Sequence, residues 1–88
     1  MLISYDREAD ALYIRFSSEK PRESMEIDDG IIVDIGGTGE VVGVEILAFS
    51  KRNIDLNEII TLTPEKVVPK IIAREVRWLE ELGIPSTR

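Results

Sequence analysis

Cysteine and histidine are both missing from this sequence. Their absence excludes structural zinc, thiolate nucleophiles, Cys-His pairs, histidine-based serine triads and haem ligation through either residue. Only carboxylates, hydroxyls, lysine and arginine remain to carry a reaction. Aromatic residues are also scarce: Tyr5, Tyr13, Phe16, Phe49 and Trp78 lie too far apart in the chain for a base-stacking surface. No apolar run approaches the roughly eighteen residues that suggest a membrane span. The opening residues MLISYDREADALYI lack the basic start and long apolar stretch of a signal peptide. A chain without cysteine fits a reducing compartment, so the expectation is a cytoplasmic protein with no membrane role.

What the chain has in excess is acid. Seventeen acidic residues against eleven basic ones give a formal charge of -6, a field that repels phosphate backbones and anionic bilayers, so no nucleic-acid partner is expected. Lys51-Arg52 is the only adjacent basic pair and reads as a solvated corner, because a binding footprint needs a larger patch. The length of 88 residues reads as one domain, 1–88, with a β-rich part at 1–52 and a mostly helical part at 53–88. A core this small leaves a thin surplus of burial over conformational entropy. That favours a homo-oligomer, with a dimer as the simplest form.

Period-two alternation marks the strands. Leu2–Tyr5 is a short apolar stretch, and Ala11–Phe16 sets Leu12, Ile14 and Phe16 against Ala11, Tyr13 and Arg15, with Phe16 expected in the core. The acidic segment between them reads as a hairpin loop. Met25–Asp28 and Ile31–Ile35 flank Asp29-Gly30, a strong hairpin signal. Val41–Leu47 follows a glycine-rich connection, and Gly43 within it predicts a bulge or the close approach of another group. Short connections exclude parallel crossovers, so the sheet is expected to be antiparallel. Residues 55–62 admit two readings: a short helix opened by the capping-box spacing of Asp55 and Glu58, or a strand with Ile60 and Leu62 inward. Thr63-Pro64-Glu65 reads as a helix start. Pro69 then implies a kink or a restart, and Ile72, Val76, Leu79 and Leu82, broadened by Val68, Ile71 and Trp78, form an apolar stripe. Gly83 and Pro85 are its stop signals.

The expected fold class is therefore α+β: an antiparallel β-meander of four or five strands packed against a C-terminal helix. Its carboxylates are the candidate site. Asp6, Glu8 and Asp10 have the spacing of a calcium-loop opening, but Ala11 stands where the turn glycine belongs and Ser17 where the bidentate glutamate belongs. Asp10 is expected to accept local backbone N–H groups instead. Asp34 and Glu45 sit in apolar runs, where two acids could pair for acid-base work or Glu45 could pair with an arginine such as Arg15. Gly36-Gly37-Thr38-Gly39 lacks the lysine and following helix of a phosphate loop and reads as a hairpin connection. Trp78 is a candidate interface residue, since its indole N–H needs a partner.

Three segments in order, Tyr5-Asp6-x-x-Ala9-Asp10-Ala-Leu12-Tyr13-Ile14, Gly30-x-x-Val33-Asp34 and Gly43-Val-Glu45-Ile46-Leu47, resemble the prokaryotic family catalogued as domain of unknown function 2283. The resemblance extends over roughly Met1 to Arg52. It implies a small α+β domain and brings no activity, cofactor or catalytic residue with it. The expectation is a self-associating interaction or regulatory module, more an assembly protein than an enzyme. It needs no cofactor, and a different protein is a second candidate partner. The alternative is a carboxylate-based metal or small-ligand site drawn from Asp6, Asp10, Asp34 and Glu45, with hydrolysis as its chemistry.

Overall fold

A computed structural model describes residues 1–63 and 65–72. The chain divides into two compact units, Met1–Lys51 and a second that begins at Arg52. The first unit is a five-stranded antiparallel sheet: β1 (Leu2–Asp6), β2 (Ala11–Arg15), β3 (Glu23–Asp28), β4 (Ile31–Ile35) and β5 (Val41–Ile46). The α+β class and the antiparallel sheet are as expected. β3, β4 and β5 follow one another as a meander, and β5 then pairs with β2, giving the order β1-β2-β5-β4-β3. Alternation cannot show this order. Residues 16–22, an extended connection with Pro21 near its end, carry the chain from β2 past two strands to the far edge, a distance of about 14 Å at ordinary strand spacing. The central place goes to β5, whose Val42, Gly43, Val44 and Ile46 are all buried.

The register writes the sheet as alternating rows. Ile3, Ile14, Val44, Val33 and Met25 stand side by side, as do Tyr5, Leu12, Ile46 and Ile31. These two rows share one face and supply the buried Leu12, Ile14, Ile31, Val33, Val44 and Ile46. The other face carries the rows Leu2, Arg15, Gly43, Asp34, Ser24 and Ser4, Tyr13, Glu45, Ile32, Glu26. A one-residue slip of any strand would exchange these sets, so burial of the first face fixes the pairing. Phe16 departs from expectation. It lies just past β2, is only half-buried, and lines an open hollow of about 390 Å³ with Met1, Leu2, Arg15, Ser17 and Ser18.

At Asp29-Gly30 only Gly30 takes a positive φ, of 74°, and the register shifts between Glu26 and Asp28. The hairpin thus differs from the doubly left-handed two-residue turn its sequence suggests. The Asp28 carboxylate accepts the Asp29 N–H at 2.8 Å, and the Glu26 carboxylate accepts the Gly30 N–H at 3.0 Å.

In the second unit the helical reading of residues 55–62 prevails over the strand. A 3-10 helix spans Leu56–Glu58, and the Asp55 side chain caps it by accepting the Asn57 N–H at 2.9 Å. Helix α1 is described over residues 65–72 and runs through Pro69 without restarting there. Proline leaves the Glu65 carbonyl without the amide donor four residues on. Val67 and Ile71, one turn apart, are the buried pair of α1, while Val68 and Ile72 are half-buried. The buried side is therefore centred one residue earlier than the stripe expected from Ile72. The Lys70 ammonium lies 3.8 Å from the Glu58 carboxylate. Pro64, Val76, Leu79, Leu82, Gly83, Pro85 and the candidate interface residue Trp78 lie outside the described residues. Among the described residues no helix is long and apolar enough to cross a membrane.

Candidate functional site: two hydroxyl-carboxylate ties

The polar side chains of the sheet form two clusters, one on its face and one at its end. On the face, Asp34 of β4 stands beside Gly43 of β5, and Tyr13 of β2 reaches it diagonally. The Tyr13 hydroxyl donates to Asp34 Oδ2 at 2.6 Å, and the Ser24 hydroxyl of β3 donates to Oδ1 at 2.5 Å. Together these bonds cross four strands. The phenol can pass over β5 because position 43 has no side chain: a Cβ built there would collide with the Tyr13 hydroxyl and the ring carbon that bears it. The glycine in the middle of a buried strand thus marks the close approach of a side chain, one of the two structural readings its position suggested. Burial, then the bond to Asp34 and its negative charge, push the Tyr13 phenol up to about 12.

At the end of the sheet, Asp10 gathers three donors. The Tyr5 hydroxyl bonds Oδ1 at 2.6 Å, the Ser50 N–H bonds Oδ1 at 3.0 Å, and the Ser50 hydroxyl bonds Oδ2 at 2.7 Å. The Asp10 carbonyl also accepts the Phe49 N–H at 3.0 Å, and the rings of Tyr5 and Phe49 meet edge to face at 6.0 Å. Asp10 holds a left-handed φ of 51°, a conformation aspartate tolerates better than most residues, and Ala48 across from it has φ 52°. The bonds from Tyr5 and Ser50 hold the Asp10 carboxyl below the usual carboxylate range, while the bond to Asp10 raises the Tyr5 phenol. The sequence suggested local backbone donors for Asp10. The partners are instead Tyr5 and the distant Ser50, so the contact closes the β1–β2 hairpin onto the segment leaving β5.

The candidate acids therefore do not converge. Asp6 accepts the N–H groups of Glu8 and Ala9 at 3.0 and 3.3 Å and shapes the hairpin loop. Asp10 sits at the sheet end. Asp34 and Glu45 share the polar face, where Glu45 is flanked by Tyr13 on β2 and Ile32 on β4. Arg15, the suggested partner of Glu45, donates to the Ser17 and Ser18 carbonyls. The open hollow beside Leu2 includes none of the four acids. Among the described residues no group of three or more acids is gathered so as to hold a metal ion.

The glycine loop is likewise occupied by its own chain. The Gly36 N–H goes to the Glu40 carbonyl at 2.9 Å, the Gly37 N–H to the Glu19 carboxylate at 3.1 Å, and the Gly39 N–H to the Gly36 carbonyl at 3.1 Å. A phosphate cradle needs those donors free and convergent. Glu19 and Glu40 share a hydrogen bond between their carboxyl groups, which raises Glu40 and, with the Gly37 N–H, lowers Glu19.

Sequence reasoning named Asp10, Asp34 and Gly43 but not what they bind. A glycine inside a strand can mark a ring lying over it, but which strand supplies the ring depends on the strand order, which the sequence does not show. Ser24 and Ser50 carried no signal, because a single exposed serine has no period or spacing to mark it.

These features define a class: a small antiparallel-sheet domain whose sheet acids serve mainly as acceptors that tie strands together. Residues 2–50 match the family described as "Protein of unknown function (DUF2283)", and the chain belongs to that family. The Tyr5 to Ile14, Gly30 to Asp34 and Gly43 to Leu47 segments carry both ties apart from the two serines. Among curated proteins the chain is 41% identical over 54 residues to an uncharacterised protein of Methanocaldococcus jannaschii, covering 60% of this chain and 46% of that one. It is 42% identical over 48 residues to a protein of Methanosarcina mazei named putative hypoxanthine phosphoribosyltransferase, covering 54% of this chain and 38% of that one. The chain thus spans less than half the length of either relative. No solved structure matches it.

Proposed function

We propose that the chain is a cytoplasmic, self-associating protein-interaction module and not an enzyme built on its sheet carboxylates. The observation that carries this reading is the use already made of Asp6, Asp10 and Asp34, each of which accepts hydrogen bonds from its own chain. A carboxylate whose oxygens already accept hydrogen bonds from its own chain is held in place, which suits a scaffold better than proton transfer. Among the described residues the sheet ends in two edge strands, β1 and β3, and an edge strand must be paired or protected. The relatives support the same reading, since related segments occur within longer chains, as an assembly module would.

The name of the Methanosarcina mazei relative implies a phosphorylated ligand for that protein. In this chain the glycine loop has spent its N–H groups internally, and the formal charge of -6 opposes phosphate. Sedimentation equilibrium on the purified full chain tests the proposal, with a mass twice that of one chain expected at micromolar concentration. A monomer that persists at millimolar concentration overturns it.

A further inference from the structure

We infer that the interface is the β1 edge, which pairs antiparallel with β1 of a second copy so that Ile3 lies opposite Tyr5 of that copy and the two Ser4 residues meet on the two-fold axis. The inference rests on the self-association proposed above and adds its surface and register.

Backbone direction comes first. The Phe16 N–H donates to the Val42 carbonyl at 2.9 Å, so Phe16, and by alternation Ile14 and Leu12, aim their backbone groups at β5. Arg15, Tyr13 and Ala11 then aim theirs at β1, onto Leu2, Ser4 and Asp6. Among the described residues no strand pairs with β1 on its other side, so Ile3 and Tyr5 turn their N–H and C=O outward along that edge. Two such edges satisfy each other best when Ile3 faces Tyr5, because both residues then exchange N–H and carbonyl bonds, and the two-fold repeats the exchange. Any register that sets Ile3 opposite Ser4 points outward groups at inward ones.

This register also agrees with the side chains. Opposed residues in an antiparallel pair share a face, so Ile3 and Tyr5 of the second copy extend the apolar face across the junction, and Ser4 meets Ser4 on the polar face. Leu2 through Tyr5 bear no charge, and the two Asp6 side chains are kept apart because each lies opposite a Leu2. Arg15 is paired with Leu2 on the same face, so Asp6 of the second copy comes two strand spacings, about 10 Å, from a charge of opposite sign. The β3 edge argues by contrast. It carries Glu23, Glu26 and Asp28 along an exposed strand with a register shift at its end, and two such edges would set acid against acid. Pairing β1 with β3 of another copy is a heterologous contact that builds a ring or a filament and not a two-fold dimer. Leu2 at 64% and Tyr5 at 45% exposure are the side chains the pairing would cover.

Two variants of the full chain test this. Ser4→Cys introduces the only thiol in a sequence without cysteine. Opposed residues of a non-hydrogen-bonded pair have Cα atoms about 4.5 Å apart, within disulfide range, so mild oxidation is expected to convert the variant to a cross-linked dimer while Glu26→Cys on β3 stays uncross-linked. Ile3→Pro removes an outward N–H and leaves the β1–β2 ladder intact, so it is expected to weaken dimerisation at least about tenfold. If the wild-type chain is a dimer but Ser4→Cys does not cross-link, the β1 edge is wrong and self-association stands. A disulfide-linked dimer formed by Glu26→Cys under the same oxidation would also overturn the inference, and a wild-type monomer at high concentration would sink both readings.

Discussion

At the scale of single residues, the close approach of Tyr13 to Gly43 ties the two positions together energetically. Gly43→Ala would place a methyl group where the phenol lies, forcing the ring aside and breaking its bond to Asp34. Overpacking of this kind costs about 1–3 kcal/mol. The penalty belongs to the pair, so in a Tyr13→Ala background Gly43→Ala should cost little, or even stabilise through the better strand propensity of a residue with a side chain. Urea denaturation of the four chains of this double-mutant cycle measures the coupling, and additive costs would refute the account. A second consequence is spectroscopic. The Tyr13 phenol is held neutral to about 12 and Tyr5 is raised above its ordinary value, so tyrosinate absorbance in the folded chain should develop above pH 10. In the unfolded state both phenols ionise near 10, and the stability that Tyr13 contributes is complete below that pH and lost as pH rises towards 12. Tyr13→Phe should remove the later absorbance step and leave the Tyr5 step in place.

At the scale of elements, the Asp10 tie decides whether the β1–β2 hairpin stays closed onto the segment that follows β5. The folded carboxyl titrates below its usual range because Tyr5 and Ser50 donate to it. Its stabilisation is therefore present above pH 4 and lost as pH falls through the depressed folded value. Asp10→Asn keeps a side chain that tolerates the left-handed backbone at φ 51° but carries no charge to titrate. The difference in urea midpoint between neutral and acid conditions should be smaller in Asp10→Asn than in wild type. Asp10→Ala should be less stable than Asp10→Asn at neutral pH, because it adds backbone strain to the lost bonds. Equal pH dependence in wild type and Asp10→Asn would show that the tie contributes nothing.

The elements also show what a sequence can disclose. The strands were legible because Leu12 and Ile14, Ile31 and Val33, and Val42, Val44 and Ile46 repeat at period two, and the structure buries each of these on one face. The strand order was not, since alternation in β5 is the same whether its second neighbour is β2 or open solvent. The capping spacing of Asp55 offered a short helix as one of two open readings, and the structure takes it, but nothing in the apolar stripe told that Val67 would share the buried side with Ile71. Within the candidate site, residue type and glycine placement pointed to Asp10, Asp34 and Gly43. Their partners lie 21 and 40 residues away along the chain, and separations of that length follow from register, which one sequence does not print.

For the whole molecule the governing quantity is net charge. Each chain carries -6, so two copies repel at long range, and the uncharged stretch from Leu2 to Tyr5 is where that repulsion is least opposed to contact. In the proposed β1 dimer the attraction between Asp6 and Arg15 across the junction would work the other way, but it is one pair at about 10 Å, repeated by symmetry, against the field of the whole chain. Added salt should therefore tighten the dimer, lowering its dissociation constant a few-fold, roughly, between low and physiological ionic strength as the Debye length shortens to about 8 Å. Sedimentation equilibrium at several salt concentrations gives this slope directly. Nucleic-acid binding would show the opposite sign, with affinity falling steeply as counterions compete. A dimer that loosened with salt would mean that complementary charge holds the copies together, and the interface would then have to be sought away from the uncharged edge of β1.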